Sequence, residues 1–197
     1  VGVKKAVDEF VEKNHLTLVS YVDSKIASIK LAEKNVGSIK PKFADYFFSI
    51  ADMTAKLSSA KRLQVGCVIV KDNRILSIGY NGTPAGWDNE CEDAIPPDWA
   101  SSIDDVSQAD RAVYVTYKTK PEVIHAEANA LMKLVQSTDS SVGSVLFVTH
   151  LPCIECAKLV YQAGIKEVYY INDYHASKGS GHLFLKEAGI KLYAKTN

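Results

Sequence analysis

Apolar residues recur at helical intervals in the first forty residues of the chain, and this spacing predicts two amphipathic helices. The recurring positions are Val3, Val7, Phe10 and Val11, followed by Val19, Val22, Ile26 and Ile29. Pro41 marks a fresh start, and a further helix is predicted from Phe43 onward. We therefore expect a helical N-terminal extension over 1–40 and a main domain over 41–197.

Strands alternate with helices through most of the main domain. Two continuous apolar runs, 65–70 and 75–78, predict a hairpin of core strands. The later predicted elements are helix 125–136, strand 145–149, helix 153–163, strand 167–171, helix 181–188 and strand 190–194. This alternation favours parallel pairing and an α/β fold, a three-layer α/β/α sandwich around a mixed five-stranded sheet. Residues 83–121 show no convincing period, and so long a loop in a compact domain is usually functional.

Composition narrows the functional classes. Lys plus Arg and Asp plus Glu both number 23, so the net charge is zero and a broad basic surface for nucleic acid is not expected. Apolar runs are too short to cross a bilayer, and the start lacks a secretory apolar core. We expect a cytoplasmic protein without a membrane partner, located in the host cytoplasm if the chain is viral. Four cysteines do not form a disulfide-dense scaffold.

Two short motifs carry recognisable chemistry, and each lies at the start of a predicted helix. They are His125-Ala126-Glu127 and Pro152-Cys153-Ile154-Glu155-Cys156. His125, Cys153 and Cys156 supply three ligands for Zn²⁺, which leaves the fourth tetrahedral position to water, as in catalytic zinc sites. The N-termini of helices also favour the thiolate form of cysteine.

Glu127, in the first helical turn, can stand beside the metal-bound water without binding the metal, where a general acid/base is needed. A redox pair or a structural zinc knuckle is the alternative for Cys-x-x-Cys, but the sequence has no second Cys-x-x-Cys or His-x-x-His to close a structural site. Cys67 is expected in the core. The other histidines, expected at the surface or in loops, are His15, His150, His175 and His182.

Over roughly 41–197 the sequence resembles the deoxycytidylate (dCMP) deaminases of the zinc-dependent cytidine deaminase superfamily. The matching segments are 64–70, 79–86, 125–130, 152–158 and 163–168. The zinc motifs are shared across the superfamily, whereas the Gly-Tyr-Asn-Gly-x-Pro-x-Gly turn is similar to that of the mononucleotide enzymes. The resemblance implies one catalytic Zn²⁺ and hydrolysis of dCMP to dUMP and ammonia, which supplies thymidylate synthesis, with Glu127 moving the protons.

The resemblance also implies residues that contact the substrate. Asn81 is similar to the residue that holds the deoxyribose hydroxyl, Tyr174 to one that flanks the nucleotide, and the backbone at Val65 to one close to it. Thr83 is a further candidate, and Arg62 or its neighbour Lys61 is a candidate for the phosphate. From the residues alone, a turn-stabilising role is the alternative for Asn81, and Arg62 is equally consistent with an exposed charge at a helix end.

Regulation is implied in the same way. The turn containing Gly79, Tyr80 and Gly82 is associated in the family with activation by dCTP, with Mg²⁺ as a companion of the triphosphate, and with inhibition by dTTP in a homo-oligomer, a hexamer. Four aromatic residues of 83–121 are expected at an oligomer interface, or alternatively in a peripheral flap. They are Trp87, Trp99, Tyr114 and Tyr117.

Three further expectations complete the picture. A second zinc is not expected in 83–121, because Cys91 has no histidine near it in that segment. A deaminase of bases in transfer RNA or single-stranded DNA is one alternative function, and the neutral charge argues against it. A non-catalytic nucleotide sensor is the other, and the intact Glu127 argues against that.

Overall fold

A computed structural model describes residues 16–22, 25–31, 37–174 and 179–196. The chain divides into two compact units, Val1–Lys40 and Pro41–Asn197. In the first unit, β1 (Leu16–Val22) and β2 (Lys25–Leu31) form an antiparallel pair. The helix predicted across Val19–Ile29 is therefore wrong, and the helix predicted before it lies outside the described residues.

The physical reason for this error lies in cross-strand pairing. The strand register places Leu16 opposite Leu31 and Leu18 opposite Ile29, so apolar positions face each other across the hairpin. The segment is also rich in β-branched residues, which favour strands. Helical spacing within one segment does not report such pairing between segments.

A mixed five-stranded sheet forms the centre of the second unit, in the order β4-β3-β7-β8-β9. Its strands are β3 (Gly66–Lys71), β4 (Arg74–Tyr80), β7 (Val145–His150), β8 (Glu167–Asn172) and β9 (Lys191–Ala194). Strand β3 pairs antiparallel with β4 and β7, whereas β7, β8 and β9 run parallel. The predicted hairpin and the three later strands are confirmed.

Helices cover both faces of the sheet. On one face, Phe47 and Phe48 of helix α1 (Pro41–Ala55) pack against Phe147, their ring centroids 5.3 and 5.2 Å from it. The other face carries α3 (Ala126–Val135), α4 (Ile154–Gln162) and α5 (Gly181–Glu187). On that side, buried aliphatic residues of helices and sheet form one core. The three-layer sandwich is confirmed.

Residues 83–121 contain more regular structure than their pattern predicts. A two-stranded ribbon pairs β5 (Glu92–Ile95) with β6 (Thr116–Thr119), and between them lie a 3₁₀ turn, Ile103–Asp105, and α2 (Gln108–Tyr114). The expectation that this segment lacks regular elements is wrong. Elements of three to seven residues with largely exposed side chains are too short to show an apolar period.

Among the described residues, none of the helices combines the length and the apolar character that crossing a membrane requires.

Candidate active site

The start of helix α3 is held against strand β4 by local backbone contacts. His125 is the N-cap residue of α3 in extended conformation, and Ile124 before it exchanges two backbone hydrogen bonds with Gly82, at 2.8 and 3.1 Å. A Cβ on Gly79 would lie 2.2 Å from the carbonyl oxygen of Ala126, so only glycine allows α3 to approach β4 this closely. The turn after β4 thereby places His125.

The start of helix α4 is fixed in a similar way. Cys153 is the N-cap residue, and its carbonyl accepts a hydrogen bond from Ala157 N at 2.8 Å. Gly181, the first residue of α5, approaches so closely that a Cβ there would lie 1.9 Å from the carbonyl oxygen of Pro152. The cysteine motif is therefore clamped between the end of β7 and the start of α5.

The two helix starts bring the three predicted ligands together. His125 Nδ1 lies 3.5 Å from Cys153 Sγ and 3.4 Å from Cys156 Sγ, and all three ligand atoms lie within 4.8 Å of one another. A tetrahedral zinc ion with ordinary bond lengths separates a nitrogen and a sulfur ligand by about 3.5 Å. The donor set and its spacing therefore fit Zn²⁺.

Electrostatics distinguish the two thiols. A hydrogen bond from Cys156 lowers the pKa of the half-buried Cys153 to about 3, with the nearby His125 adding to the effect. The same interaction, together with burial, raises the pKa of Cys156. A bound cation would favour ionisation of both sulfurs.

Glu127 is a buried carboxyl group beside this cluster. The residue is only 4% exposed, and burial raises the pKa of its carboxyl from the ordinary value, an effect that His125 partly opposes. A rise in pKa brings a carboxyl closer to the working pH, which favours its use as both proton acceptor and proton donor. Its position in the first turn of α3 places it beside the ligands, as the sequence predicts.

These groups open onto a cavity of about 300 Å³. Its lining residues are Arg62, Leu63, Val65, Asn81, Glu92, Thr119, Val123, His125, Ala126, Glu127, His150, Leu151, Cys153 and Tyr174. The two zinc-motif segments and four of the five predicted substrate-contacting residues meet in this one space. A cavity of this size suits a small ligand.

Asn81 and Val65 form one part of the cavity wall. The Asn81 side chain accepts a hydrogen bond from Val65 N at 2.8 Å and donates one to the carbonyl of Leu63 at 2.8 Å. Asn81 N also donates to the carbonyl of Val65 at 3.2 Å. Asn81 thus performs the turn-stabilising role in this structure while also lining the cavity.

Arg62, Tyr174 and Thr83 occupy different positions. Arg62 lines the cavity and donates from Nη1 to Thr119 Oγ1 at 3.1 Å, and Tyr174 lines the cavity at 40% exposure. Thr83 is not among the lining residues, and its hydroxyl donates to the carbonyl of Asp88. The structure therefore does not bring Thr83 to the other predicted contacts.

The residues predicted to respond to effectors have structural contacts of their own. Besides the packing of Gly79 on α3, the carbonyl of Tyr80 accepts from Asn129 Nδ2 at 2.8 Å, and Lys133 Nζ lies 5.5 Å from the centroid of the Tyr80 ring. Together with the bridge between Gly82 and Ile124, these contacts link the turn to α3. An allosteric role for Gly79, Tyr80 and Gly82 stays a prediction.

Sequence reasoning missed several residues of the cavity, and Glu92, Thr119 and His150 are the polar ones. His150, expected at the surface or in a loop, ends β7 on the cavity wall, where burial lowers its pKa. Glu92 had one available signal: it directly follows Cys91 in the long segment considered functional. Thr119 had no such signal, because it reaches the cavity wall only through the pairing of β6 with β5.

Among the described residues, Cys67, Cys91 and His182 do not belong to the ligand cluster. Cys67 is fully buried in the core, as expected, and burial raises the pKa of its thiol well above the ordinary value. Cys91 is buried against Ala60 and Val123. Among the described residues, the one cluster suited to a metal is that of His125 and the two motif cysteines. His182 is exposed, and His15 and His175 lie outside the described residues.

Comparisons with known proteins agree with this geometry. Human deoxycytidylate deaminase is 40% identical over 150 residues, which cover 74% of this chain and 75% of that protein. The enzyme of phage T4 is 32% identical over 171 residues, covering 76% and 88% respectively. A crystal structure of dCMP deaminase from cyanophage S-TIM5 in complex with dCMP and dUMP superposes with a TM-score of 0.65 at 35% identity, covering 80% of this chain and 99% of that one.

The family model described as the cytidine and deoxycytidylate deaminase zinc-binding region matches residues 41–172. That range contains the three ligand residues, Glu127 and both sequence motifs. The match covers more than half of the chain and agrees with the relatives above. The chain therefore belongs to the cytidine and deoxycytidylate deaminase zinc-binding family.

Proposed function

We propose that this protein catalyses the hydrolytic deamination of dCMP to dUMP and ammonia. The observation that carries the proposal is one cavity that combines a zinc-type ligand set, the buried Glu127 and the guanidinium of Arg62. Relatives at 32–40% identity act as deoxycytidylate deaminases, and a superposable structure holds dCMP and dUMP. The product would serve thymidylate synthesis.

The residues divide the chemistry between them. His125, Cys153 and Cys156 would hold Zn²⁺, which when bound activates water for attack near neutral pH. Glu127 accepts a proton from the attacking water and delivers it to N3 of the cytosine ring. The water oxygen bonds to C4, and the same carboxyl then accepts the proton of the hydroxyl formed there and donates it to the amino group. The C4–N bond breaks, ammonia leaves, and C4 keeps the oxygen as the carbonyl of dUMP. Burial of Glu127 suits it to both directions of transfer, because its raised pKa lies closer to the working pH.

Arg62 is assigned to the 5′-phosphate. It is the one permanently charged cation among the described residues that line the cavity, and guanidinium groups bind phosphate through paired, charge-assisted hydrogen bonds. We assign the cytosine base to the zinc ligands. Tyr174 and the 63–65 backbone are assigned to contact with the sugar, between the base and the phosphate. Asn81 would contribute to deoxyribose contact through the segment that it holds.

A substrate panel tests this function. The purified zinc-loaded protein would be incubated separately with dCMP, dCTP, deoxycytidine, cytidine and an RNA hairpin, and ammonia release would be followed. We expect kcat/KM to be highest for dCMP. Equal turnover of deoxycytidine would remove the phosphate assignment, and preferred turnover of the RNA hairpin would replace the proposed substrate with nucleic acid.

Regulation and assembly form a separate part of the proposal. We infer a homo-oligomer, a hexamer by resemblance, activated by dCTP with Mg²⁺ and inhibited by dTTP. Support comes from the Gly79–Gly82 turn and from exposed aromatic residues of the 83–121 segment, with Trp87 59% and Trp99 60% exposed. Light scattering and dCMP saturation curves with each triphosphate test this inference. A monomer with hyperbolic kinetics indifferent to both would contradict it without affecting the deaminase assignment. A cytoplasmic location also stays a prediction.

A further inference from the structure

Glu92 is a buried acidic residue in the cavity wall and lies on a different element from the zinc ligands. It opens strand β5, is 6% exposed and lines the cavity. Both of its carboxylate oxygens accept from Lys61 N, each at 3.1 Å, and Oε1 also accepts from Arg62 N at 3.3 Å. The buried carboxylate of Glu92 thus binds the backbone N–H groups of two consecutive cationic residues.

The same contacts form a closed circuit around Arg62. Thr119, the acceptor for Arg62 Nη1, is the register partner of Glu92 across the ribbon. The backbone of Arg62 is therefore bonded to β5 and its side chain to β6. Arg62, Glu92 and Thr119 all line the cavity, so this circuit is part of the wall itself.

Lys61 is bonded to Glu92 through its backbone in the same way as Arg62, but its side chain takes a different position. Its ammonium lies 3.5 Å from Glu90 Oε2 and 5.5 Å from the centroid of the Tyr117 ring, and Lys61 does not line the cavity. Two adjacent cations thus take different directions from a backbone that Glu92 holds. The Lys61 side chain lies on the exposed side of the ribbon, and the Arg62 side chain lines the cavity.

We propose that Glu92 is a positioning residue that presents Arg62 to the 5′-phosphate and thereby sets the preference for a nucleotide over a nucleoside. The inference rests on the proposed function, since it presupposes a phosphorylated substrate. Holding the 61–62 backbone before substrate arrives removes the cost of ordering it on binding, and this preorganisation favours binding of the phosphate. The hydrogen bonds involve a charged acceptor, which makes them stronger than neutral ones.

Glu92→Gln tests the role while keeping the side-chain volume. The substitution removes the charge and turns one acceptor into an amide donor that faces a backbone N–H. We expect KM for dCMP to rise about tenfold, the size expected for losing a hydrogen bond to a charged group. The kcat for dCMP and the kcat/KM for deoxycytidine, which lacks the phosphate, should change less than about twofold. Glu90→Gln is the matched control, because Glu90 contacts Lys61 from the exposed side and should leave both substrates unaffected.

A double-mutant cycle with Arg62→Ala tests whether Glu92 acts through Arg62. KM for dCMP in the Arg62→Ala/Glu92→Gln variant should equal that of Arg62→Ala alone. Additive effects would overturn the inference, as would equal losses for dCMP and deoxycytidine together with a lower Tm, which would indicate a purely structural role.

If Glu92→Gln does not fold, Thr119→Val supplies the test: it removes the side-chain acceptor of Arg62 and should raise KM a few-fold for dCMP alone. An unchanged KM for this variant would also contradict the circuit.

The outcomes separate this inference from the proposed function. Absence of dCMP turnover in the unaltered protein would reject the proposed function. An Arg62→Ala variant with ordinary KM for dCMP would reject the phosphate assignment. A raised KM for Arg62→Ala together with an unaffected Glu92→Gln would reject only the positioning role.

Discussion

The two ends of the cavity are built on different principles. At the zinc-ligand end, His125 and Cys153 are N-cap residues of helices that pack directly on the central sheet. At the other end, the wall consists of Arg62, Leu63 and Val65 and of a separate two-stranded ribbon, and side-chain hydrogen bonds join the ribbon to Lys61 and Arg62. The zinc-ligand set is thus placed by helices on the central sheet, whereas Arg62, the residue assigned to the phosphate, is placed by peripheral elements.

Because of this difference, the residues assigned to the reaction and the residue assigned to phosphate recognition lie on separate parts of the fold. A rigid sheet and its helices hold the ligand atoms to the tolerance that a metal requires. A peripheral wall tolerates sequence change without disturbing the core, because few core residues depend on it. Substitutions at the zinc-ligand end should therefore act on zinc content and kcat, and those at the opposite wall on KM.

Removing a ligand is expected to have the largest effect. Cys156→Ala leaves two ligand atoms, which bind Zn²⁺ far more weakly, so zinc content and dCMP turnover should both fall to background. Metal analysis and ammonia release measure the two. Cys91→Ala, which alters a buried cysteine outside the cluster, should retain one zinc per chain. Full zinc in Cys156→Ala would remove this residue from the ligand set.

Glu127→Gln should follow in size. The amide fills the same volume but cannot carry the proton, so kcat should fall about a hundredfold to ten-thousandfold while zinc content and Tm are retained. Glu155→Gln is the matched control, because Glu155 lies in the first turn of α4 but is exposed and paired with Lys158. Near-normal turnover of zinc-loaded Glu127→Gln would overturn the assigned role.

Arg62→Ala probes the opposite end and should affect substrate binding. Loss of a charged hydrogen-bonding partner for phosphate should raise KM for dCMP about tenfold to a hundredfold with little change in kcat. Lys61→Ala, its neighbour on the exposed side, should raise KM much less. Steady-state kinetics with both variants decide the matter, and equal effects would mean that general positive charge, rather than one placed guanidinium, attracts the substrate.

The same contrast explains what the sequence could reveal. His125, Glu127 and the motif cysteines were predictable because each motif is local and begins a strongly periodic helix. Arg62 and Asn81 came from resemblance alone, since nothing in their immediate neighbours marks them. Glu92 was missed because its role depends on hydrogen bonds across about thirty residues of chain, from a strand only four residues long. Long-range pairing of this kind leaves little local signal.

The N-terminal hairpin failed to be predicted for a related reason. Its apolar residues fit a helical period as well as a strand pairing, and the choice between them depends on contacts between β1 and β2. The central sheet avoided this ambiguity. Its strands are continuous apolar runs that alternate with well-marked helices, so type and order were both predictable.

Gly79→Ala tests the packing that holds the zinc-ligand end on the sheet and alters no side chain that binds zinc or moves protons. A Cβ there would lie 2.2 Å from Ala126 O and 2.5 Å from Ala130 N, so helix α3 must shift from β4. Such overpacking costs about 1–3 kcal/mol, which lowers Tm by several degrees in a domain of this size. The shift of α3 also moves His125 and Glu127, so kcat should fall, but by less than in Glu127→Gln, since both side chains are retained. Gly82→Ala is the control from the same turn, because its Cβ would meet only the Tyr80 ring, at 3.9 Å. Thermal unfolding of both variants measures the difference. A Tm unchanged by Gly79→Ala would show that α3 does not depend on this close approach, whereas an altered response to dCTP in Gly82→Ala at constant Tm would favour the regulatory role predicted for the turn.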